Sequence, residues 1–367
     1  MTYPRTAIGL SLLSLSLGAL WLSSSESSDA DAETTSPPIA ERHVRDDALA
    51  RARVLQPDPF KGAAFDFNAD PNAGMIDTHL TSCTFLPSEP NGTTPKFDCR
   101  LESGEKIKVK YGWTREIPAE IAATRLLQAL GFPADRMSRV ETVNCFGCVL
   151  SPFHLRWAAA ALRLEHAFDR HLDYHHATTF SNVAVERKFP GDSIETPAEK
   201  GWGFYELTRI DHARGGATTA EVDALRLIAV FLAHWDNKPA NQRLICEDDH
   251  TPCGKPMAML HDLGSDFGPY KADLDGWRNM PIWTDSTSCI VSMSNLPFDG
   301  GTFGSVAISE AGRRLLATRL KQFTTAQVRA LFRAAGFAEL DSWVAAFEDK
   351  VRQIDGRRCA KSGYASS

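Results

Sequence analysis

Between residues 80 and 111 apolar and polar positions alternate in short runs. Leu80 to Leu86 and Lys96 to Leu101 flank a turn-rich stretch containing Asn91-Gly92-Thr93-Thr94-Pro95, and Glu105 to Tyr111 sets Lys106, Lys108 and Lys110 against Ile107 and Val109. A period of two predicts short strands here. The period then changes: Ala119, Ala122, Leu126, Leu127 and Leu130 recur at helical spacing. A helix is therefore expected from about Pro118, a favoured first-turn proline, to Leu130, with Gly131 as its stop. A helix over roughly 153 to 170 reads as an insertion, followed by strands at Asn182 to Phe189 and Trp202 to Leu207. The stretch from about Glu221 to Trp235 is mostly apolar from Ala224 onward, which predicts a helix buried in a core. Short strands at 242–246 and 257–261 come next. Thr324 with Gln327 forms a capping box opening a helix that Gly336 closes, and a last helix runs from about 340 to 355. Strands, one helix, strands and then helices predict an α+β chain, with a β-rich small lobe joined to a mainly helical large one.

The beginning of the chain has a different pattern. Ala7 to Leu22 is an apolar run broken only by Ser and Gly, and Arg5 precedes it. As a helix it rises about 24 Å, short of the ~30 Å hydrocarbon core. A secretory signal over residues 1–30 fits better than a spanning helix, with Ala30-Asp31-Ala32 as one option for cleavage. The alternative is an uncleaved anchor, which also carries the domain out of the cytoplasm. Residues 24 to about 60, rich in Ser, Asp, Ala, Thr and Pro, read as a disordered or loosely helical linker, and 31–74 is assigned to it as a whole. No stable membrane span is expected after signal cleavage, and a secreted, periplasmic or secretory-lumen location follows.

The formal charge of −6 and the lack of a long Lys/Arg run give no electrostatic basis for a nucleic-acid partner. The eight cysteines all lie beyond the signal, and export permits disulfides. Cys83 and Cys99 are equidistant from Asn91, as if across a hairpin, and Cys246 and Cys253 flank a polar turn in the same way. Cys145-Phe-Gly-Cys148 reads as a local disulfide, because a zinc knuckle needs a second ligand pair at clean spacing. Cys289 with Cys359 follows by elimination.

The strongest chemical signal is His234-Trp-Asp-Asn-Lys-Pro-Ala-Asn241, directly after the buried helix. The run resembles the protein-kinase catalytic loop His-Arg-Asp-x-Lys-Pro-x-Asn, with Trp235 in place of the arginine. The resemblance implies that the carboxylate of Asp236 orients an attacking hydroxyl or accepts its proton, that Lys238 offsets charge on a transferring phosphoryl group, and that Asn241 offers magnesium a neutral oxygen. The apolar strand Met257 to Leu260 then leads into His261-Asp262-Leu-Gly-Ser-Asp-Phe-Gly268. Kinase folds hold magnesium with an aspartate after this strand. Asp266-Phe-Gly268 spells the familiar tripeptide, but Asp262 directly follows the strand and is preferred as the metal ligand. The stretch also has the spacing of Asp-Asn-Gly-x-x-Phe-Gly, found in the secretory-pathway (Golgi casein) kinase family. The segment Glu120 to Phe132 is similar to that family's helix ending in a Leu-Gly-Phe turn. That family lacks the Lys-Pro-x-Asn run, so Asn241 as a ligand rests on the protein-kinase pattern.

The resemblance covers about residues 80 to 270 and implies further roles. Lys110 and Glu120 match the strand lysine and helix glutamate that hold nucleotide phosphates, with Lys108 and Glu116 as rivals. Gly92, Thr93 and Thr94, with Lys96, suit a phosphate-covering loop between the first two strands, although a plain hairpin turn fits equally. Glu206 falls where a hinge between lobes would present its backbone to an adenine edge. Asp169, His171, Asp173, His175 and His176 read as a solvated stretch and not as a metal site. The implied fold is two-lobed and kinase-like, with residues 75–206 as the small lobe and its insertion and 207–367 as the large lobe. The implied activity is ATP- and Mg2+- (or Mn2+-) dependent phosphoryl transfer to a hydroxyl of a protein or glycan acceptor. A catalytically inactive kinase-fold binding module is the alternative. A hydrolase is disfavoured, because neither GxSxG nor HExxH occurs.

Overall fold

The computed structural model describes residues 39–57, 60–89, 92–248, 252–293 and 300–359. The expected signal, 1–30, lies outside these residues, as does Asn91. Strands β1 (Leu80–Leu86), β2 (Lys96–Arg100) and β3 (Lys106–Lys110) form where the alternation predicts them. Helix α2 (Glu116–Leu130) starts two residues before Pro118 and stops at Gly131, which takes the left-handed φ of 83°. Strand β4 (Arg136–Phe146), helices α3 (Pro152–Ala161) and α4 (Glu165–Arg170), and strand β5 (Ala177–Arg187) follow. The five strands close into a barrel in the order β1-β2-β3-β5-β4, sealed by parallel pairing of β1 with β4. Phe85, Phe97, Ile107, Val109, Val140, Val143, Val183 and Val185 fill it.

The insertion α3–α4 lies against the loop between β1 and β2. Arg156 is buried, pairs with Asp169 and donates to the Ser88 carbonyl at 3.2 Å. Among the described residues, no group of metal-ligating side chains includes His171, His175 or His176, and His176 Nδ1 lies 2.6 Å from Asp173 Oδ2.

After β5 the chain crosses to the helical lobe over residues 188–191 and enters β6 (Asp192–Ser193). This strand pairs with β7 (Gln242–Cys246), which pairs with β8 (Pro256–Leu260). The lobe boundary therefore falls near 190 and not at 206. The strand expected at Trp202 to Leu207 is instead a tight 3-10 turn over Phe204–Arg209, packed in the helical lobe. Trp202 is buried there and donates its indole N–H to the Arg243 carbonyl at 3.0 Å.

Helix α5 (Thr219–Leu232) opens with the capping box Thr218/Glu221, and Ala233 ends it with left-handed geometry. Helix α6 (Leu274–Asn279), the short pair β9 (Ile290–Val291) and β10 (Val306–Ala307), and helices α7 (Glu310–Leu320), α8 (Thr325–Ala335) and α9 (Leu340–Asp355) complete the lobe. Phe231, Phe267, Trp277, Phe332, Trp343 and Phe347 pack edge-on or tilted at its centre.

The linker reading of 31–74 is corrected in part. Helix α1 (Ile39–Ala50) forms inside it, and Ala48, Leu49, Ala52 and Val54 join the main core. Ala48 and Leu49 lie in its last turn and Ala52 and Val54 just beyond it, a short buried segment that the polar composition of the stretch conceals. Cys83–Cys99, Cys145–Cys148, Cys246–Cys253 and Cys289–Cys359 stand at disulfide distance, the four pairings expected. Among the described residues, no helix is long and apolar enough to cross a membrane.

Candidate active site

Between the lobes, side chains from β3, β5, α2 and the turn after β8 come together beside the loop 234–241. On β3 the alternation that buries Ile107 and Val109 turns Lys108 and Lys110 to the other face. On α2 a polar stripe of Glu116, Glu120 and Thr124 repeats every four residues along one side of an otherwise apolar helix. Lys110 Nζ meets Glu120 Oε2 at 2.5 Å, with both side chains buried. The same ammonium lies 3.4 Å from Asp262 Oδ1 and 4.0 Å from Glu186 Oε2. Burial works against a charged lysine, but Glu120, Asp262 and Glu186 raise Lys110 well above the ordinary range, so it stays cationic. Burial likewise pushes Glu120 up, to about 7, against the pull of Lys110.

The rivals have other partners. Lys108 donates to Glu186 at 2.9 Å, and Glu116 accepts from Lys271 at 2.6 Å.

Asp262 lies two residues beyond the end of β8 and takes the left-handed conformation, φ 51° and ψ 58°, which is strained for a residue with a Cβ. Its side chain remains 36% exposed toward the cleft. Burial raises its carboxyl, but Lys110, His261, Lys96 and Lys108 overcome this and hold it far below the usual carboxylate range. Asp266 goes elsewhere. It is wholly buried in the helical lobe, where its Oδ1 lies 2.9 Å from His234 Nδ1, and its other oxygen has no partner among the described residues.

The loop 234–241 is fixed at both ends. The Asn237 amide donates to the His234 carbonyl at 2.9 Å and accepts from the Thr302 and Phe303 amides at 2.6 and 2.9 Å. Asn241 donates its side-chain amide to the Asp236 carbonyl at 2.7 Å. Among the described residues its oxygen accepts no hydrogen bond. The β7–β8 pairing, extended by the His261 amide to Asn241 carbonyl bond at 3.0 Å, sets Asn241 beside the end of β8 that carries Asp262. Asp236 is 21% exposed, with Lys238 Nζ at 3.2 Å. A carboxylate held ionised and a neutral amide oxygen are hard donors, a set that fits Mg2+ or Mn2+.

Gly92 has φ 68°, and Lys96 Nζ lies 3.1 Å from the place a Cβ on Gly92 would occupy. The glycine lets the lysine tuck under the loop. Of the two hydroxyl residues, Thr94 is buried and Thr93 is exposed.

Glu206 does not line the connection between the lobes. It is buried on Arg45, which grips both its oxygens at 2.9 Å, and it caps the Gly203 amide at 2.8 Å. This is a structural ion pair joining α1 to the helical lobe, and Glu206 lies in the turn Phe204–Arg209 and not in the 188–191 crossing that a hinge residue would occupy.

Sequence reading missed Asp135, Glu186 and His261, whose ligand atoms lie within 4.8 Å of one another behind Asp262. Only the position of His261, immediately before Asp262, signals its importance.

A five-stranded barrel with α2 set between β3 and β4, a helical lobe, and a lysine, a glutamate and an aspartate meeting between them define a two-lobed, kinase-like α+β fold. No family model matches the chain, and no curated protein matches it. Among solved structures it is similar to a Helicobacter pylori proinflammatory kinase, CtkA, with a TM-score of 0.42 and 10% identity, over 76% of this chain and 95% of that one.

Proposed function

We propose that the chain is an ATP- and Mg2+-dependent phosphotransferase that acts outside the cytoplasm on a hydroxyl of a protein or glycan. The observation that carries this is the convergence of Lys110 on Glu120 at 2.5 Å and Asp262 at 3.4 Å, at the mouth of the loop bearing Asp236 and Asn241. A buried ammonium held among three carboxylates is costly to assemble for stability alone. In this reading Lys110, set by Glu120, holds the α- and β-phosphates, and the loop of Gly92, Thr93 and Thr94 covers them.

Asp236 orients the acceptor hydroxyl and takes its proton as the new O–P bond forms and the bond from the γ-phosphorus to the bridging oxygen breaks, releasing the diphosphate. Lys238 offsets charge on the transferring group. Asp262 and Asn241 would hold Mg2+ or Mn2+, which when bound screens the phosphate oxygens. Four cysteine pairs at disulfide distance support action in an oxidising compartment. The likeness of the 262–268 spacing to the secretory-pathway kinases supports the same setting.

The test is thermal unfolding of the disulfide-intact protein with Mg2+ and ATP, beside Asp262→Ala, followed by transfer from γ-labelled ATP to protein and glycan acceptors. Ligand at about 100 times its dissociation constant adds about 2.7 kcal/mol. A shift in the wild type that vanishes in Asp262→Ala, together with label transfer, is the expected result. No shift with any nucleoside triphosphate would overturn the reading, and a shift without transfer would leave a kinase-fold binding module.

A further inference from the structure

Asp135 stands in the turn between α2 and β4 and is 5% exposed. Its surroundings join three parts of the molecule. Its main-chain carbonyl accepts from Gln128 Nε2 at 2.7 Å, so the last turn of α2 fixes its place. Its Oδ1 accepts the Phe189 amide at 2.7 Å, in the crossing between the lobes. Its Oδ2 lies 2.6 Å from His261 Nδ1, at the end of β8 next to Asp262. Arg243 on β7 stands 3.6 Å away. Glu186, the neighbouring carboxylate, is held by Lys108 on β3.

We propose that Asp135 is a positioning residue that links helix α2 and the interlobe crossing to Asp262 through His261. The inference rests on the phosphotransferase reading for its purpose but not for its geometry. A carboxylate brought this far from water is expensive, and an apolar contact would bind α2 to the crossing as well or better. What an apolar side chain lacks is two acceptor oxygens facing two different donors. Here one oxygen takes the crossing and the other takes the residue before Asp262. His261 also gives its main-chain N–H to Asn241 at 3.0 Å, so Asp262 and Asn241 are both one step from this side chain. Asp262 needs such support, because left-handed backbone at a non-glycine residue is strained and persists only when neighbours impose it. Movement of α2, which carries Glu120, or of the crossing then reaches Asp262 directly. The site is assembled or loosened as one unit.

The test compares wild type, Asp135→Asn, His261→Leu and His261→Gln by hydrogen-exchange mass spectrometry, which needs no activity. It also measures the Mg2+ and ATP dependence of nucleotide turnover. Asparagine keeps an oxygen for the Phe189 amide but turns an N–H2 group toward His261. Asp135→Asn and His261→Leu should each speed exchange over residues 259–264 by about tenfold or more while residues 186–191 stay protected in His261→Leu. Both should raise the Mg2+ requirement by roughly 10- to 100-fold, the usual effect of losing a residue that orients a metal ligand. The KM for ATP should change little. His261→Gln, which retains a side-chain N–H donor, should recover most of both effects. Exchange at 259–264 unchanged in both His261→Leu and Asp135→Asn would overturn the proposal, as would Gln behaving like Leu. If Asp135→Asn does not fold, the two His261 variants decide the matter, since that side chain is only partly buried. Wild-type protein that neither binds nor turns over nucleotide would defeat the phosphotransferase reading, while the exchange result would still judge the link.

Discussion

Asp266 and His234 face each other at 2.9 Å in the centre of the helical lobe, and neither side chain reaches solvent. The contact separates the two aspartates of the 262–268 stretch by environment. Asp262 faces a cleft full of ammonium groups, and Asp266 is committed to one imidazole.

The pair makes stability depend on pH. Burial raises the Asp266 carboxyl to about 6 despite His234, and His234 is itself raised, with burial opposed by Asp266. In both cases the folded state binds a proton more tightly than the unfolded chain does. The contribution is therefore most favourable below about pH 4 for Asp266 and below about pH 6.5 for His234, and it declines as pH rises through the folded values. The Asp266 part is on the order of 3 kcal/mol. Urea unfolding from pH 5 to pH 7.5 should show wild type losing stability with rising pH, and Asp266→Asn should flatten that slope. An unchanged slope would mean that the pair titrates normally.

Lys110 and Glu120 should show strong coupling. Lys110→Met strands a buried carboxylate and should cost about 3–5 kcal/mol. Lys110→Met with Glu120→Gln should cost less than the two single changes combined, by about 1–3 kcal/mol in a double-mutant cycle read by urea. Both single variants should also lose the ATP-dependent thermal shift.

Asp236→Asn should separate chemistry from binding. The ATP-dependent shift should persist, because Lys110, Glu120 and Asp262 are untouched. Phosphoryl transfer should fall by about 10²- to 10⁴-fold. Equal loss of both would place Asp236 in binding.

Gly264 is packed too closely to carry a side chain, since a Cβ there would collide with Glu116 on the first turn of α2. Gly264→Ala should cost about 1–3 kcal/mol by overpacking. It should also push α2 outward and weaken nucleotide binding by drawing Glu120 from Lys110. Gly304→Ala, with open space around it and no left-handed backbone, is the control for a methyl group added without overpacking.

The four disulfides should contribute unequally. Cys289–Cys359 closes a loop of 70 residues and Cys246–Cys253 one of 7. Chain entropy assigns the first about 4 kcal/mol and the second roughly 2 kcal/mol. Paired Cys→Ser variants unfolded in urea should follow that order.

Much of this architecture was legible in the sequence, and the failures have physical causes. Strands β1 to β3 and helices α5, α8 and α9 announce themselves through period, caps and stops. The loop 234–241 is legible because its chemistry lies within eight consecutive residues. Strand β4 escaped because its buried Met137, Val140 and Val143 fall three apart, a helical spacing on a strand that packs both into the barrel and against α2. Glu206 reads as a hinge residue because it ends an apparent strand, but that stretch forms a 3-10 turn in the helical lobe, and the true crossing comes directly after β5. Asp135 was invisible because its partners, Phe189 and His261, are distant in sequence and nothing local marks the meeting.

Closure of the barrel also bears on how the chain reaches its native state. The seal joins Leu80 to Thr142 and Thr84 to Phe146, segments separated by two strands and a helix. Local hairpins form early, whereas a ladder between distant segments must wait for the entropy of the long loop to be overcome. Until that ladder forms, β1 and β4 each expose a row of unpaired backbone groups able to recruit another molecule. The risk of aggregation is thus concentrated in the interval before the seam closes, and concentrated protein is expected to refold less efficiently than dilute protein.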